Sequence, residues 1–151
     1  MSLPIQARFS INILENDLKE ILLLKRRAQA KLGPGLWGFP AGHMREEEDP
    51  AHCSLREMHE EIGNDIVIYL LREFGPVRDT FYGGIYEVHL FHYHWHSGSI
   101  ALNEEHTAYA WVGPESYKYY NVMDGIDEDL AYLNIWPKKY LHPDKLPAHL
   151  R

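Results

Sequence analysis

A chain of 151 residues, 45% of them hydrophobic, can bury one core, so we expect a single domain over residues 1–151. The formal net charge of −7 argues against a broad nucleic-acid or anionic-lipid surface, because both need clustered lysine and arginine. A single cysteine, Cys53, excludes an intramolecular disulfide. No run of residues resembles a membrane span, and residues 1–10 lack the pattern of a secretory signal, so the expected compartment is the cytoplasm.

Strand-like and helix-like patterns alternate along the first part of the chain, which favours a mixed fold. Hydrophobic and polar residues alternate from Ile5 to Ile13, as in a half-buried strand. Residues 20–27, EILLLKRR, contain an apolar run that is typical of a strand buried on both faces, and the polar turn between these segments predicts a hairpin. The segment Lys31–Gly42 is rich in glycine and proline, so we expect a loop with short extended pieces.

The second half of the chain predicts further strands and a short helix. Residues 77–82 and 85–95 flank Gly83 and Gly84, a pair that suits a hairpin turn. Residues 107–112, TAYAWV, are expected to form a strand, and helical spacing runs from Asp127 to Trp136. The segment 137–151 contains three prolines and is expected to be an irregular C-terminal tail.

Seven acidic side chains lie within the 22 residues from Gly42 to Gly63. Asp49 followed by Pro50 predicts the start of a helix, and Gly63 predicts its end. At about 100° per residue, an apolar stripe and a separate carboxylate face are expected on this helix. The apolar stripe comprises Ala51, Leu55, Met58 and Ile62, and the carboxylate face comprises Glu57, Glu60 and Glu61.

The three glutamates of the carboxylate face either form a solvated surface or bind a cation. Like charges one helical turn apart destabilise a helix by a few tenths of a kcal/mol, and Arg56 is the close compensating partner in the sequence. A divalent cation would offset this repulsion. Mg²⁺ takes a few carboxylate oxygens while it retains waters and phosphate oxygens.

The spacing of this region resembles the signature of the Nudix hydrolases. Gly42 is followed after five residues by Glu48, and after seven more by REMHEEIG from Arg56 to Gly63. Asn64 departs from the aliphatic residue that is usual in the family. The resemblance implies an α+β fold in which a mixed β-sheet lies between helices, as an α/β/α sandwich. It also implies an enzyme that uses Mg²⁺, or sometimes Mn²⁺, to hydrolyse a diphosphate bond in a nucleoside triphosphate or nucleoside diphosphate derivative.

The resemblance also assigns roles to individual residues. The metal ligands that it implies are Glu57, Glu60, Glu61, the backbone carbonyl of Ala41, and an acidic residue from a later strand or loop, with Glu105 as the first candidate and Glu104 as the second. Either Glu57 or Glu60 is expected to act as the catalytic base. Arg56 belongs to the catalytic group, and Glu48 is expected to support it through an ion pair.

Two features outside the signature allow more than one interpretation. Arg26 and Arg27 end the second strand and either contact phosphate or are solvated. His92, His94 and His96 share one face of a strand, where they would form a polar face, contact substrate or hold Zn²⁺.

The expected partner is a small-molecule nucleotide, with neither nucleic acid nor membrane. A non-catalytic Nudix domain that binds nucleotide as a sensor is the alternative to an enzyme. Because Nudix enzymes are often dimers, a homodimer is a further expectation.

Overall fold

In the computed structural model, residues 4–80 and 84–151 are described. Seven strands in these ranges form one hydrogen-bonded network. The strands are β1 (Ala7–Glu15), β2 (Ile21–Arg26), β3 (Trp37–Gly38), β4 (Ala41–His43), β5 (Ile66–Asp79), β6 (Tyr86–Gly98) and β7 (His106–Val112). Their order is β3-β2-β1-β6-β5, with β4 paired to β1 and β7 paired to β2. The sheet is mixed, because β1 runs parallel to β6 and antiparallel to β2.

The central strands follow the hydrophobic patterns of the sequence. Residues 21–24 of β2 are fully buried, which confirms a strand covered on both faces. The loop expected at Lys31–Gly42 contains only the short strand β3 and the start of β4, as predicted. Strands β5 and β6 pair antiparallel as expected, although β5 begins at Ile66, well before residue 77. Of the turn expected between them, Gly83 lies outside the described residues.

Helices cover both faces of the sheet. Helix α1 (Pro50–Ile62) packs through Met58 and Ile62 against one face, and helix α2 (Ile126–Tyr132) packs against the other. The expected α+β sandwich of helices around a mixed sheet is therefore confirmed. Within the described ranges, neither helix combines the length and the apolar composition that crossing a membrane would require.

The C-terminal part of the chain is packed against the core. Helix α2 ends at Tyr132, earlier than the expected Trp136, although Leu133 and Trp136 are buried as the helical spacing predicted. The segment 137–151, expected to be irregular, contains three short 3-10 turns. Leu141 and Leu146 within it are buried in the same hydrophobic cluster as α2.

The ends of α1 agree with the sequence signals. The Asp49 side chain accepts a hydrogen bond from the His52 N–H at 3.0 Å, and Pro50 occupies the first turn, where its missing N–H costs nothing. The helix ends at Gly63, whose φ of 91° lies in the left-handed region that favours glycine. These caps fix where the helix starts and therefore which residues face the sheet.

The predicted apolar stripe of α1 is wrong in half of its members. Ala51 and Leu55 are exposed, with 44% of the Leu55 surface accessible. The buried residues of α1 are Cys53, Ser54, Met58, Glu61 and Ile62. Two polar side chains are buried because the sheet and its loops supply hydrogen-bond partners for them, and the pattern of hydrophobic residues does not contain that information.

One of these buried polar groups, Ser54, ties the helix to the sheet. Its hydroxyl donates to Asn12 Oδ1, and it accepts from the Tyr93 hydroxyl at 2.7 Å. The Asn12 amide in turn donates to the Pro40 carbonyl at 3.2 Å. The network thus connects α1 with the loop that leads into β4, and both elements carry signature residues.

Replacement of Ser54 by alanine is expected to destabilise the fold by about 1–3 kcal/mol, because buried polar groups of Asn12 and Tyr93 lose their partner. Urea denaturation measures this difference. The double variant Ser54→Ala/Tyr93→Phe serves as the control and is expected to recover part of the loss. A change below about 0.5 kcal/mol in the single variant, the range of ordinary surface substitutions, would contradict the structural role of the network.

Candidate active site

Glu61 lies at the centre of the candidate site, although it belongs to a helix face that is rich in charge. The residue is 2% exposed, so its carboxylate is not part of a solvated surface. Its Oε1 accepts a hydrogen bond from the Ala41 N–H at 2.8 Å, and its Oε2 lies 3.4 Å from His106 Nε2. Burial raises the pKa of Glu61 well above its ordinary value. A buried acid without a cationic partner is costly unless it shares a proton or a cation.

Glu105 and His106 complete a cluster around Glu61. Each of these residues can offer one ligand atom, and the three atoms lie within 4.8 Å of one another. In the part of the chain that the structure describes, this is the one group of three or more histidine, cysteine or acidic residues so placed. Glu104, the second acidic candidate from the sequence, is not part of it.

His106 was not among the site residues predicted from the sequence, although it directly follows the expected ligand Glu105. The histidine starts β7, and its Nδ1 lies 3.3 Å from Asn103 Oδ1, an atom that can only accept. Burial, together with the positive charge of Arg26, lowers the pKa of His106 to about 4. The neutral ring therefore carries its proton on Nδ1 and turns the Nε2 lone pair towards Glu61.

The donor set of this cluster fits a divalent cation. Glu61 Oε2 and His106 Nε2 are both acceptors at neutral pH when the acid is ionised, and they face each other at 3.4 Å. A shared proton or cation stabilises such an arrangement. Carboxylate oxygens suit Mg²⁺ and Mn²⁺, and an imidazole nitrogen is accepted more readily by Mn²⁺.

Glu57 lies beside this cluster and lines the adjoining cleft. Its side chain is 15% exposed, and burial raises its pKa against the opposing effect of Arg56. A Cβ atom added at Gly42 would overlap the Glu57 carboxyl group, so this glycine leaves the space that the glutamate occupies. The close approach gives a physical reason for glycine at the start of the signature.

Arg56 holds two carboxylates in place. Its Nε and Nη2 donate to the two oxygens of Glu48, both at 2.7 Å, and its Nη1 donates to Glu57 Oε1 at 2.8 Å. The guanidinium holds the pKa of Glu48 well below its ordinary range. The expected pairing of Glu48 with Arg56 is confirmed, and through it Glu57 acquires a fixed orientation.

The other four sequence candidates differ in their position relative to the cleft. Glu60 is half exposed, lies 3.4 Å from Arg56 Nη1, and is not among the residues that line the cleft. Arg26 lines the cleft, and its Nε donates to the Leu32 carbonyl at 2.6 Å. Arg27 is exposed and lies outside the cleft lining. Ala41 lines the cleft next to Gly42.

The cleft has a volume of about 330 Å³, within the size range of small-molecule sites. Glu57, Glu105 and Arg26 line the end next to the cluster, and Asp129 of α2 lines another part of the wall. Phe9 and Tyr86 also line the cleft, with their ring centroids 5.6 Å apart. The cleft therefore joins a carboxylate cluster to an aromatic wall that can hold a flat ring.

The histidine-rich face of β6 is separate from the cluster. His92 Nε2 lies 2.8 Å from Glu15 Oε1, and His94 Nε2 lies 3.2 Å from Asp17 Oδ1. Within the described ranges, these histidines belong to no group of three potential metal ligands. The zinc interpretation therefore has no support in the structure.

Asp129 makes a pH-dependent contribution to stability that can be tested separately from activity. Burial, together with Asp79, Glu128 and Asp127, raises the pKa of Asp129 well above its ordinary value. Above about pH 4 the unfolded chain therefore releases a proton that the folded protein retains, so this residue lowers stability as pH rises. Asp129→Asn removes the effect, and its gain in stability over the wild type is expected to grow with pH.

Urea denaturation of the wild type and Asp129→Asn between pH 4 and pH 8 measures this difference, with the range set by the ordinary pKa of about 4 for aspartate. Asp144→Asn is the matched control, because Asp144 is an exposed aspartate in the C-terminal segment. Parallel stability profiles of the wild type and Asp129→Asn would show that Asp129 is ionised in the folded protein.

The mixed sheet lies between helices, and α1 carries the glutamates of the signature. A protein-family model described as the NUDIX domain matches residues 4–131. The chain belongs to the Nudix family.

Comparisons with individual proteins agree with this assignment. Over 85 residues the chain is 32% identical to Nudix hydrolase 2 of Arabidopsis thaliana, in an alignment that covers 54% of this chain and 31% of that protein. The chain thus spans about a third of the length of this relative. The MutT protein from Methanosarcina mazei Go1 has a similar structure, with a TM-score of 0.71, 21% identity, and coverage of 89% of this chain and 96% of that chain.

A third similar structure includes ligands. It is a bifunctional NMN adenylyltransferase/ADP ribose pyrophosphatase from Francisella tularensis, complexed with AMP and a Mn ion. Its TM-score is 0.68 at 19% identity, and the match covers 89% of this chain and 42% of that chain. At these identities the two solved structures show that the fold is shared.

Proposed function

We propose that this protein is a divalent-metal-dependent hydrolase that cleaves a diphosphate bond in a nucleoside triphosphate or nucleoside diphosphate derivative. The observation that carries the proposal is the cluster of Glu61, Glu105 and His106, which adjoins the Glu57 wall of the cleft. Membership of the Nudix family and the AMP and Mn ion in the F. tularensis structure support it. A single domain over residues 1–151 is part of the proposal, because both helices pack on one sheet.

Mg²⁺ is the proposed physiological cation, with Mn²⁺ as the alternative. The residues that would hold it are Glu57, Glu61, Glu105 and His106, with the Ala41 carbonyl and Glu60 as further ligands implied by the family signature. When bound, the cation would neutralise negative charge on the diphosphate and lower the pKa of a water molecule.

The residues of the chain supply orientation and proton transfer. Arg56 binds Glu57 Oε1 and leaves Oε2, which lies against Gly42, to accept the proton of the attacking water. We therefore assign the base to Glu57 rather than to the half-exposed Glu60. Arg26 is the proposed phosphate contact, because its side chain lines the cleft and that of Arg27 does not.

Phosphate and pyrophosphate release tests this proposal. The substrate panel comprises nucleoside and deoxynucleoside triphosphates, ADP-ribose, dinucleotides, dinucleoside polyphosphates and nucleotide sugars, each with Mg²⁺ and with a chelator. We expect turnover of one class that the chelator abolishes and that Glu61→Gln loses. Glu104→Gln, the control from the same acidic segment, is expected to retain it, since Glu104 is exposed and outside the cluster.

Tight nucleotide binding without turnover of any panel member would indicate a non-catalytic nucleotide sensor of the same fold instead of an enzyme.

Oligomeric state is a separate part of the proposal. The homodimer expected from the family is checked by light scattering of the purified protein, and a monomer mass would remove that expectation without affecting the chemistry.

A further inference from the structure

Asn103 contacts every member of the cluster of Glu61, Glu105 and His106. Its Oδ1 accepts a hydrogen bond from the Glu105 N–H at 3.2 Å and lies 3.3 Å from His106 Nδ1. Its backbone N–H donates to the Glu61 carbonyl at 3.3 Å, and its own carbonyl accepts from the His106 N–H at 3.4 Å. The turn before β7 is therefore built around Asn103, which holds Glu105 and His106 in a fixed relation to α1.

These contacts determine which nitrogen of His106 carries the proton. The atom of the Asn103 amide that faces the ring is its oxygen, because it also accepts from the Glu105 N–H. An amide oxygen can only accept, so the His106 Nδ1 opposite it carries the hydrogen. The other tautomer would place two lone pairs against each other. The lone pair of Nε2 is therefore directed towards Glu61 Oε2.

The distance between these two acceptors fits a shared cation better than a shared proton. His106 Nε2 and Glu61 Oε2 are 3.4 Å apart. A hydrogen bond that involves nitrogen and oxygen is typically about 2.7–3.2 Å long. Two ligands about 2.1 Å from one octahedral cation are about 3.0 Å apart when adjacent and about 4.2 Å apart when opposite. The ligand atoms of Glu61, Glu105 and His106 lie within 4.8 Å of one another, on the scale of such a site.

A nitrogen ligand changes which cation the site favours. Mg²⁺ is a hard cation that takes oxygen ligands, so it gains little from an imidazole. Mn²⁺ accepts the same oxygen ligands and, as a first-row transition metal, also takes nitrogen. His106 is 6% exposed and Glu61 is 2% exposed, so water has little access to replace the imidazole. Affinity would therefore favour Mn²⁺, while the cation in use also depends on the concentrations of the two metals.

We propose that Asn103 is a positioning residue that presents His106 Nε2 to the bound cation, and that this nitrogen ligand makes the site bind Mn²⁺ more tightly than Mg²⁺. The inference rests on the proposed function for the presence of a cation, and it deepens that function by assigning metal selectivity to two residues outside the family signature. Asn103 acts through His106 and Glu105, with which it forms its hydrogen bonds.

Pulsed electron paramagnetic resonance of the nucleotide-free protein with Mn²⁺ tests the nitrogen ligand, because a coordinated imidazole gives a nitrogen hyperfine coupling. The wild type is expected to show this coupling, and His106→Gln is expected to lack it. His96→Gln is the matched control and is expected to keep the coupling, since His96 is an exposed histidine of β6 outside the cluster. Bound Mn²⁺ without nitrogen coupling in the wild type would overturn the proposal.

Metal selectivity is measured as the dissociation constant of Mg²⁺ divided by that of Mn²⁺, with Mg²⁺ competing against Mn²⁺. His106→Gln and Asn103→Ala are each expected to lower this ratio by about 10-fold or more, the effect of removing a ligand or the group that orients it. Asn103→Asp retains an acceptor oxygen and is expected to keep the ratio within about 2-fold. Its added charge attracts both divalent cations alike, so the ratio is insensitive to that charge.

Asn64→Ala is the matched control for Asn103→Ala, because Asn64 is an exposed asparagine outside the cluster. The fold is expected to persist in Asn103→Ala, since the backbone hydrogen bonds of this residue do not need its side chain. Circular dichroism checks this expectation. An unchanged ratio in His106→Gln or in Asn103→Ala, a fall in Asn103→Asp as large as in Asn103→Ala, or a wild type that prefers Mg²⁺ would overturn the proposal.

The same experiments separate this inference from the proposed function. Hydrolysis that a chelator abolishes, together with bound Mn²⁺ that shows no nitrogen coupling, would leave the enzymatic proposal standing and overturn the role of His106. Nitrogen coupling that His106→Gln loses, with no hydrolysis of any panel member, would leave the metal ligand standing while the enzymatic proposal fails. A wild type that binds no Mn²⁺ would overturn both.

Discussion

Glu57→Gln is expected to lower kcat/KM by about 10³-fold or more, because it removes both the proposed base and a carboxylate of the metal site. The amide keeps the volume of the side chain, so the space left by Gly42 stays filled and the fold is expected to persist. Initial rates with the best substrate of the panel, at saturating Mg²⁺, measure the loss.

Glu104→Gln is the matched control for this prediction, since it makes the same chemical change at an exposed glutamate outside the cleft. It is expected to retain activity within about 2-fold, as for a surface substitution that makes no contact with substrate. A Glu57→Gln enzyme with more than about a tenth of wild-type kcat/KM would exclude Glu57 as the base, because general-base catalysis typically contributes about 10²-fold or more.

Arg56→Lys is expected to lower kcat by about 10²-fold with a smaller change in KM. The guanidinium binds both oxygens of Glu48 and one oxygen of Glu57 at the same time, and a lysine ammonium cannot reproduce this planar geometry. Glu57 would then lose its fixed orientation, and misplacement of a catalytic group by about 1 Å can cost about 10²-fold. Steady-state kinetics and circular dichroism separate loss of catalysis from loss of folding.

Arg45→Lys makes the same substitution at an exposed arginine, 67% accessible and 3.8 Å from Glu60. Its kinetics are expected to match the wild type. If kcat falls equally in Arg45→Lys and Arg56→Lys, the loss does not depend on the contacts of Arg56 with Glu48 and Glu57. The orienting role of Arg56 would then be rejected.

Local signals in the sequence were sufficient to predict the frame of the site. Asp49, Pro50 and Gly63 define the helix through its caps, which depend only on neighbouring backbone groups. The apolar residues 21–24 define the buried strand β2. The spacing from Gly42 through Arg56 predicts the position of the glutamates on α1. That spacing is set by helix geometry and by the close approach of Gly42 to the Glu57 side chain.

Burial of individual side chains on α1 was less predictable. Leu55 is exposed although it belongs to the expected apolar stripe, and Ser54 is buried because Asn12 and Tyr93 lie opposite it. Asn12 and Tyr93 are distant in sequence, so periodicity along the helix contains no information about them. Glu61 of α1 is buried for a similar reason, because its hydrogen-bond donor, the Ala41 N–H, belongs to strand β4.

Several features of the cleft also depend on tertiary arrangement. Arg26 and Arg27 are equivalent candidates in the sequence, and only the position at which β2 ends places Arg26 in the cleft. His106 is next to the expected Glu105, but its lone pair is directed by Asn103. Asp129 belongs to a short acidic helix that, in sequence, is typical of a solvated surface. Its burial becomes visible only when α2 is packed against the sheet.

Binding of Mn²⁺ tests whether the cluster of Glu61, Glu105 and His106 is the metal site. Electron paramagnetic resonance measures this binding for the wild type, Glu61→Gln and Glu104→Gln. We expect saturable binding by the wild type and Glu104→Gln, and binding at least about 10-fold weaker by Glu61→Gln, since even groups that only support metal ligands contribute about 10- to 100-fold to affinity. Equal Mn²⁺ affinity in all three proteins would show that the carboxylate cluster around Glu61 is not the metal site.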